Sequence, residues 1–366
     1  MKKTILSLAV PTLLFSGQVL SQTIVSSDDG SHLNLYGRVQ ADFRDRGNGA
    51  TTAGGADNEV NANRQYARFG FSGRQAMENG MAVIGQAEYQ LNNGDGDTND
   101  SGIGSTDKVD WVARYVWAGI DMNELGRVEA GRVASGLLMF TSIGDVFYSG
   151  GDPVAGYHVN TVDTSADLVF RQNGTLQYKN SLGNLDFATA YIQNSSIDSG
   201  YNFAASYNFA FDSSKLSLIG MYQLNKNEEK NTNVEVSEYQ TYGIGLRYFA
   251  GDLYFGAGYS IEDMDLYNSS KDAKTKGGDI VITYDFGQWI ARAGYRYLAF
   301  DEVSNGSDDV IENTWIAEAQ YKLTPQSSLF VNYSDNSGGY SNFSGGNVEV
   351  VGKKGSLASF GFRWTF

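Results

Sequence analysis

The chain has 366 residues, of which 44 are Gly and only 3 Pro, with no Cys and with 23 Tyr, 20 Phe and 5 Trp. These counts exclude a collagen-like repeat, a disulfide-built scaffold and a disordered chain, none of which carries this balance of residues. The formal net charge of -15 speaks against a nucleic-acid partner, because neutralising phosphates takes basic patches.

Composition does not shift along the chain and no Pro-rich or Ser-rich linker divides it, so one large unit is expected. The first residues read differently from the rest. Lys2 and Lys3 precede an apolar run from Ile5 to Phe15, and Val19 and Ser21 occupy the -3 and -1 positions of an export signal cleaved after Ser21. The apolar stretch is too short for a spanning helix, and a basic start has no role in a buried one. Residues 1–21 are therefore expected to be a cleaved signal peptide and 22–366 the mature protein.

The mature chain repeats with a period of two. Leu33, Leu35, Gly37, Val39, Ala41 and Phe43 share one face, and Asn34, Tyr36, Arg38, Gln40 and Asp42 the other. The pattern returns in Ala67, Phe69 and Phe71 against Tyr66, Arg68 and Ser72, and in Trp111, Ala113, Tyr115 and Trp117 against Asp110 and Arg114. Near the end it appears in Trp289, Ala291, Ala293, Tyr295 and Tyr297 against Arg292 and Arg296, and in Trp315, Ala317, Ala319 and Tyr321 against Glu318 and Lys322. Sixteen strands are predicted: 33–43, 64–74, 81–91, 109–120, 127–135, 171–180, 185–194, 201–211, 215–225, 238–250, 253–264, 276–287, 289–300, 313–324, 327–336 and 357–366.

Short turns (78–80, 121–126, 212–214, 251–252, 288, 325–326) alternate with long connections (44–63, 92–108, 226–237, 265–275, 301–312, 337–356). A soluble β-sandwich would also alternate, but it would not place large aromatics on the outward face of strand after strand. An even number of strands near ten residues, short turns at one end and long loops at the other indicate a transmembrane barrel, since only a closed barrel pairs every backbone group in lipid. Rings at strand ends, among them Phe249, Tyr254, Tyr284, Trp289, Trp364 and Phe366, suit membrane interfaces. Sixteen strands leave an aqueous channel. The expected class is all-β, a 16-stranded antiparallel transmembrane β-barrel.

Leu35-Tyr36-Gly37-Arg38, Ala67-Arg68-Phe69-Gly70-Phe71, Arg114-Tyr115-Val116-Trp117-Ala118-Gly119, Arg171 followed by Tyr178-Lys179-Asn180, and the terminal Phe366 resemble the general diffusion porins of Gram-negative outer membranes. The likeness spans the mature chain. It implies a homotrimer of barrels in outer-membrane lipid and lipopolysaccharide, assembled by machinery that reads the C-terminal aromatic strand. It also implies passive diffusion of ions and small hydrophilic solutes, and a third loop folded inward as a constriction.

The residues lead to the same segment. The connection 136–170 exceeds ordinary loop length, which marks it as functional. It holds Asp145, Asp152, Asp163 and Asp167 and no Lys or Arg. The inward parity of the wall places Arg38, Arg68, Arg114 and, at the loop's exit, Arg171 opposite these acids. Opposed charges across a narrow pore make a transverse field that sets selectivity. By the resemblance these arginines are eyelet residues, with Arg38 where the family often has Lys. Asp145 fits the family's loop aspartate, whereas Val146-Phe147-Tyr148 replaces the Pro-Glu-Phe that usually follows. The pore constriction is thus assigned to Arg38, Arg68, Arg114, Arg171, Asp145 and Asp152. The alternative for the arginines is simple solvation of the wall or pairing with Asp42, Glu88, Asp110 and Glu318. Arg247, Arg292, Arg296, Lys322 and Arg363 share the inward parity as wall charges.

Acidic loops, such as Asp95, Asp97, Asp100 and Asp107 or Asp301, Glu302, Asp308, Asp309 and Glu312, concentrate cations and predict a weak cation preference. The run 95–100 departs from a calcium loop at its Gly and Glu positions. With His32 and His158 the only histidines, no Cys and no nucleophile elbow, an enzyme is not expected, and no cofactor or metal is called for. A solute-specific channel, or an adhesin or receptor barrel acting through its loops, is the competing function. Phe140, Phe147, Tyr148 and Tyr157 would then form an aromatic track; packing of the loop against the wall explains them better.

Overall fold

In the computed structural model the described residues are 21–47, 50–51, 60–61, 63–94, 110–163, 166, 169–228, 235–267, 272–301, 309–344 and 347–366. Of the expected signal peptide, 1–20 lie outside them. Sixteen antiparallel strands make the wall: β1 (His32–Gly47), β2 (Arg64–Ala76), β3 (Ala82–Gly94), β4 (Asp110–Asp121), β5 (Arg127–Arg132), β6 (Thr175–Leu182), β7 (Leu185–Ile192) and β8 (Ile197–Ala210) form its first half. The second half is β9 (Ser214–Asn227), β10 (Val236–Ala250), β11 (Leu253–Leu266), β12 (Ala273–Asp285), β13 (Trp289–Phe300), β14 (Val310–Thr324), β15 (Ser327–Asn336) and β16 (Gly355–Thr365). Each pairs with its sequence neighbours, and β1 pairs with both β2 and β16, Arg38 lying opposite Arg68 on one side and Thr365 on the other. The barrel is therefore closed, and no edge among these strands is left for lipid to meet.

Alternation sorts the side chains. Phe43, Ile244 and Trp315 point outward at 63%, 71% and 66% exposure, while Gln40, Asp42, Glu262 and Arg296 point inward and are buried. An apolar outer face and a polar lumen are the arrangement hydrocarbon requires. Ile244→Arg should accordingly lower the stability of the barrel refolded in lipid vesicles by about 2–4 kcal/mol. An unchanged urea midpoint would place Ile244 away from the bilayer core.

The strand ends differ from those predicted where packing decides them. Strand β6 begins at Thr175 instead of 171, and β5 stops at Arg132, so Arg171 belongs to the connection between them. The fourth long-end connection, 193–196, is short and breaks the expected alternation. The predicted apolar face of β4 is also corrected. A β-bulge opposite Glu88 and Tyr89 sets Glu88 against Tyr115 and Tyr89 against Ala113, leaving Arg114 as the extra residue. Trp111 and Ala113 stay outward, but Tyr115 and Trp117 turn inward, where Trp117 Nε1 donates to Gln86 Oε1 at 3.0 Å. Val116 and Ile120 take the outward positions.

Several local elements were not read in the sequence. A strand at Gln22–Ser26 folds back on β1. Tyr340–Ser344 and Asn347–Val351 make a hairpin in the last long connection. Two short helices, α1 (Leu138–Thr141) and α2 (His158–Val162), lie in the connection between β5 and β6. Val159 and Val162 of α2 join Phe140, Val236, Tyr239, Met264, Phe300 and Ile311 in a buried apolar cluster, against which Phe343 and Val350 of the hairpin pack.

Candidate functional site

The connection between β5 and β6 leaves the wall and is pinched at its base, where Ser135 N–H donates to Phe170 O at 3.1 Å and Gly136 N–H to Gln177 Oε1 at 2.7 Å. From there most of its contacts are with inward-facing side chains of β9 to β15, while Gln40 of β1 and Arg64 of β2 donate to Tyr148 O at 3.1 and 3.4 Å. Phe140 is fully buried against Gly243 of β10: a Cβ there would stand 2.7 Å from Phe140 Cζ. Likewise a Cβ at Gly294 of β13 would stand 2.9 Å from Phe147 Cζ. Both glycines are the recesses into which the segment's rings settle.

Polar anchors fix the same path. Arg247 Nη2 donates to Met139 O at 2.7 Å, and Tyr254 Oη to Ile143 O at 2.9 Å. Glu318 accepts the N–H groups of Tyr148 (2.8 Å) and Ser149 (3.3 Å) while pairing with Arg292 at 2.7 Å. Arg296 donates to Gly150 O and Gly151 O at 2.9 and 2.8 Å, and Asp279 accepts from Val154 N–H (3.0 Å) and Ala155 N–H (2.7 Å). Wall charges thus satisfy the backbone of a segment that has almost no regular structure of its own.

His158 completes the anchoring. Its Nδ1 lies 2.8 Å from Thr275 Oγ1 and its Nε2 2.8 Å from Ser260 Oγ, and burial pushes its pKa down to about 3. The docked ring is neutral. An undocked His158 takes up its proton near its ordinary value of about 6.5, so docking is at full strength above that pH and weakens by up to about 1.4 kcal/mol per pH unit towards 3. Channel current should therefore become noisier between pH 6 and 4, and His158→Gln should remove that dependence; identical noise in the two proteins across this range would refute it.

The predicted basic residues line the same lumen. Arg38, Arg64 and Arg68 surround the Tyr66 ring at 5.3, 5.1 and 5.2 Å, and Tyr66 Oη donates to Gln40 Oε1 at 2.8 Å. Arg68 lies in the field of Arg114, Arg38 and Arg171. The four predicted arginines therefore form one cluster. Among the described residues, of the pairings considered from sequence only Arg114 with Glu88, at 2.8 Å, occurs; Asp42 is taken by Arg44 and Arg64, and Glu318 by Arg292. Arg171 stacks 4.6 Å from the Phe170 ring, and burial, with Arg114 nearby, lowers its pKa to about 10, so it remains a cation at neutral pH.

Asp145 and Asp152 line the same cavity as these arginines. Asp145 acts electrostatically on Arg38, and burial together with Asp152 and Asp145 raises the Tyr157 hydroxyl well above its ordinary value. Asp163 instead accepts from Glu235 N–H at 2.7 Å, and Asp167 lies outside the described residues. Sequence reasoning did not find the setting of Tyr148. Its ring lies 3.4 Å from the Arg363 guanidinium and 5.0 Å from that of Arg292, and Phe147 lies 5.4 Å from that of Arg296. The inward parity of those three arginines was the available signal. The cavity, about 2320 Å3, is lined from the short turns (Asn123, Asp212, Gly251) to the long-loop end (Arg46, Asn160, Lys354).

The sequence pattern described as Gram-negative porin matches residues 7–339. The outer membrane porin protein OmpD of Citrobacter koseri is 27% identical over 361 residues, covering 92% of each chain. Among solved structures, Salmonella typhi OmpF in complex with daunomycin superposes with a TM-score of 0.71 at 19% identity, covering 94% of this chain and all of that one. The trimer form of OmpT from Vibrio cholerae gives 0.63 at 15% identity, covering 92% of this chain and 99% of that one. A closed barrel whose lumen is lined from the short turns to the long-loop end suits a conduit, and the chain belongs to the Gram-negative porin family, channel proteins for passive diffusion of solutes across the bacterial outer membrane.

Proposed function

We propose that the segment 136–170 sets the narrowest part of this channel, with Asp145 and Asp152 on the loop side and Arg38, Arg68, Arg114 and Arg171 on the wall side. The supporting observation is that all six line one cavity whose walls extend from the turns to the loops. Ions and small hydrophilic solutes pass between the two charged sides, and the transverse field disfavours apolar molecules, which cannot offset the ordering of water there. Phe147 and Tyr148 are engaged by Arg296, Arg292 and Arg363, which favours packing over an aromatic track for a specific solute.

The working unit in this reading is a homotrimer in outer-membrane lipid and lipopolysaccharide, and residues 1–21 are removed on export. The barrel and its trimeric relative support the assembly; the charge and apolar pattern of the leader supports the cleavage. Single-channel recording in planar bilayers tests the whole. Stepwise insertion, closure in three equal decrements at high voltage and altered ion selectivity in Asp145→Asn are the expected results. A folded protein that carries no current would overturn the proposal.

A further inference from the structure

The chain as a whole is acidic, yet the described lining of its cavity holds more basic side chains than acidic ones. Three of those basic side chains, Arg38, Arg68 and Arg171, stand within one another's field. Arg38 and Arg68 are directly opposite each other across β1 and β2, an arrangement of like charges that costs stability. Neither these two nor Arg171 has a carboxylate partner among the described residues, and the buried Nε atoms of Arg38 and Arg171 have no hydrogen-bond acceptor. Carboxylates that could have answered them are committed elsewhere: Glu88 to Arg114, Asp42 to Arg44 and Arg64, Glu318 to Arg292 and the loop backbone.

We propose that Arg38, Arg68 and Arg171 form a binding site for compact oxyanions, and that the channel consequently conducts chloride in preference to potassium and retains inorganic phosphate or the phosphate group of a small ester in transit. The inference rests on the reading of 136–170 as the constriction. Guanidinium groups present paired N–H donors that match the oxygens of phosphate, and a confined lumen with low-dielectric walls focuses their field on a passing anion. An anion at this point relieves the repulsion between Arg38 and Arg68 and supplies the acceptors that the two orphaned Nε atoms lack. Asp145 on the opposite side keeps the site from holding the anion permanently, since conduction needs release as well as entry. This sets the arginine cluster against the weak cation preference expected from the loop carboxylates, most of which lie outside the described residues.

The test is the reversal potential of the refolded wild-type channel across a potassium chloride gradient centred near 0.1 M, where screening leaves short-range fields intact. The same recording is made with inorganic phosphate added at millimolar concentration. The expected results are a chloride-side reversal potential, a phosphate-dependent loss of chloride current, and a several-fold fall of both effects in the Arg38→Gln, Arg68→Gln double variant. Asp145→Asn, which keeps every arginine, should move the selectivity further towards chloride and serves if the double variant fails to fold. Wild-type current that prefers potassium, or current indifferent to phosphate, overturns the anion site while leaving the channel intact. Absence of current from folded protein removes the underlying channel reading instead.

Discussion

Phe140→Ala should release the third long connection from the wall while the barrel remains assembled. The Phe140 ring is fully buried in the apolar cluster formed with α2 and the inner faces of β8 to β14, and Gly243 leaves the recess it fills. Truncation removes its transfer free energy and leaves a cavity, together worth about 3–5 kcal/mol. That loss falls on docking of the segment, because the backbone ladders of the wall do not involve it. With about 1.4 kcal/mol for each tenfold change in an equilibrium, the undocked population should rise by at least about 100-fold. Protease cleavage within 136–170 follows that population when closing is fast, so its rate should rise in proportion, and single-channel conductance should increase with added noise. Phe140→Leu, which keeps most of the volume, should behave close to wild type. Unaltered cleavage and conductance in Phe140→Ala would show that the polar anchors alone hold the segment.

All sixteen wall strands were legible in the sequence because the barrel imposes one rule on each of them: alternate residues meet lipid or lumen, and a period of two survives any neighbour. The inward arginines followed from that parity without knowledge of their partners. Where the rule is interrupted, the sequence is silent. The bulge at Arg114 depends on how β4 registers against β3, and nothing in Tyr115 or Trp117 themselves announces that they turn inward. The strand Gln22–Ser26 carried a visible signal in Thr23, Ile24 and Val25, but it abuts the leader and is too short to stand out as a spanning strand.

The segment 136–170 divides in the same way. Its length and its acids could be read, and so could the presence of apolar rings. Its path could not, because the groups that fix it, Glu318, Asp279, Arg296 and Ser260, lie more than one hundred residues away in sequence and look like any other polar position on an inward face. Individual charge pairs could not be assigned from sequence for a related reason. Glu88 and Asp42 were available to several arginines by parity, and only the three-dimensional arrangement assigns Glu88 to Arg114 and Asp42 to Arg44 and Arg64. Among the described residues those assignments leave Arg38, Arg68 and Arg171 without carboxylates, and that is what turns a wall of mixed charge into a candidate anion site.

Glu318→Ala is expected to be the most destabilising single change among the loop anchors. One carboxylate oxygen accepts from Arg292 Nη1 at 2.7 Å; the other accepts from the N–H groups of Tyr148 and Ser149 and from Asn332 Nδ2 at 3.3 Å. The side chains of the pair are 0% and 2% exposed. Removing one partner of a buried pair leaves the other charge uncompensated, at a cost of about 3–5 kcal/mol, and here two loop N–H groups lose their acceptor as well. Replacing both partners together, as Glu318→Leu with Arg292→Met, should cost markedly less than the single change, since no buried charge is then stranded. Urea unfolding in detergent, arranged as a double-mutant cycle, reads the coupling directly. The two changes should nevertheless share one consequence for conduction: without the carboxylate, Tyr148 and Ser149 lose their tether to β14, and the segment no longer holds Asp145 against the arginine wall. A double variant as stable as wild type but with wild-type conductance would mean that Arg296 and Asp279 suffice to position the loop, and that Glu318 serves only to neutralise Arg292.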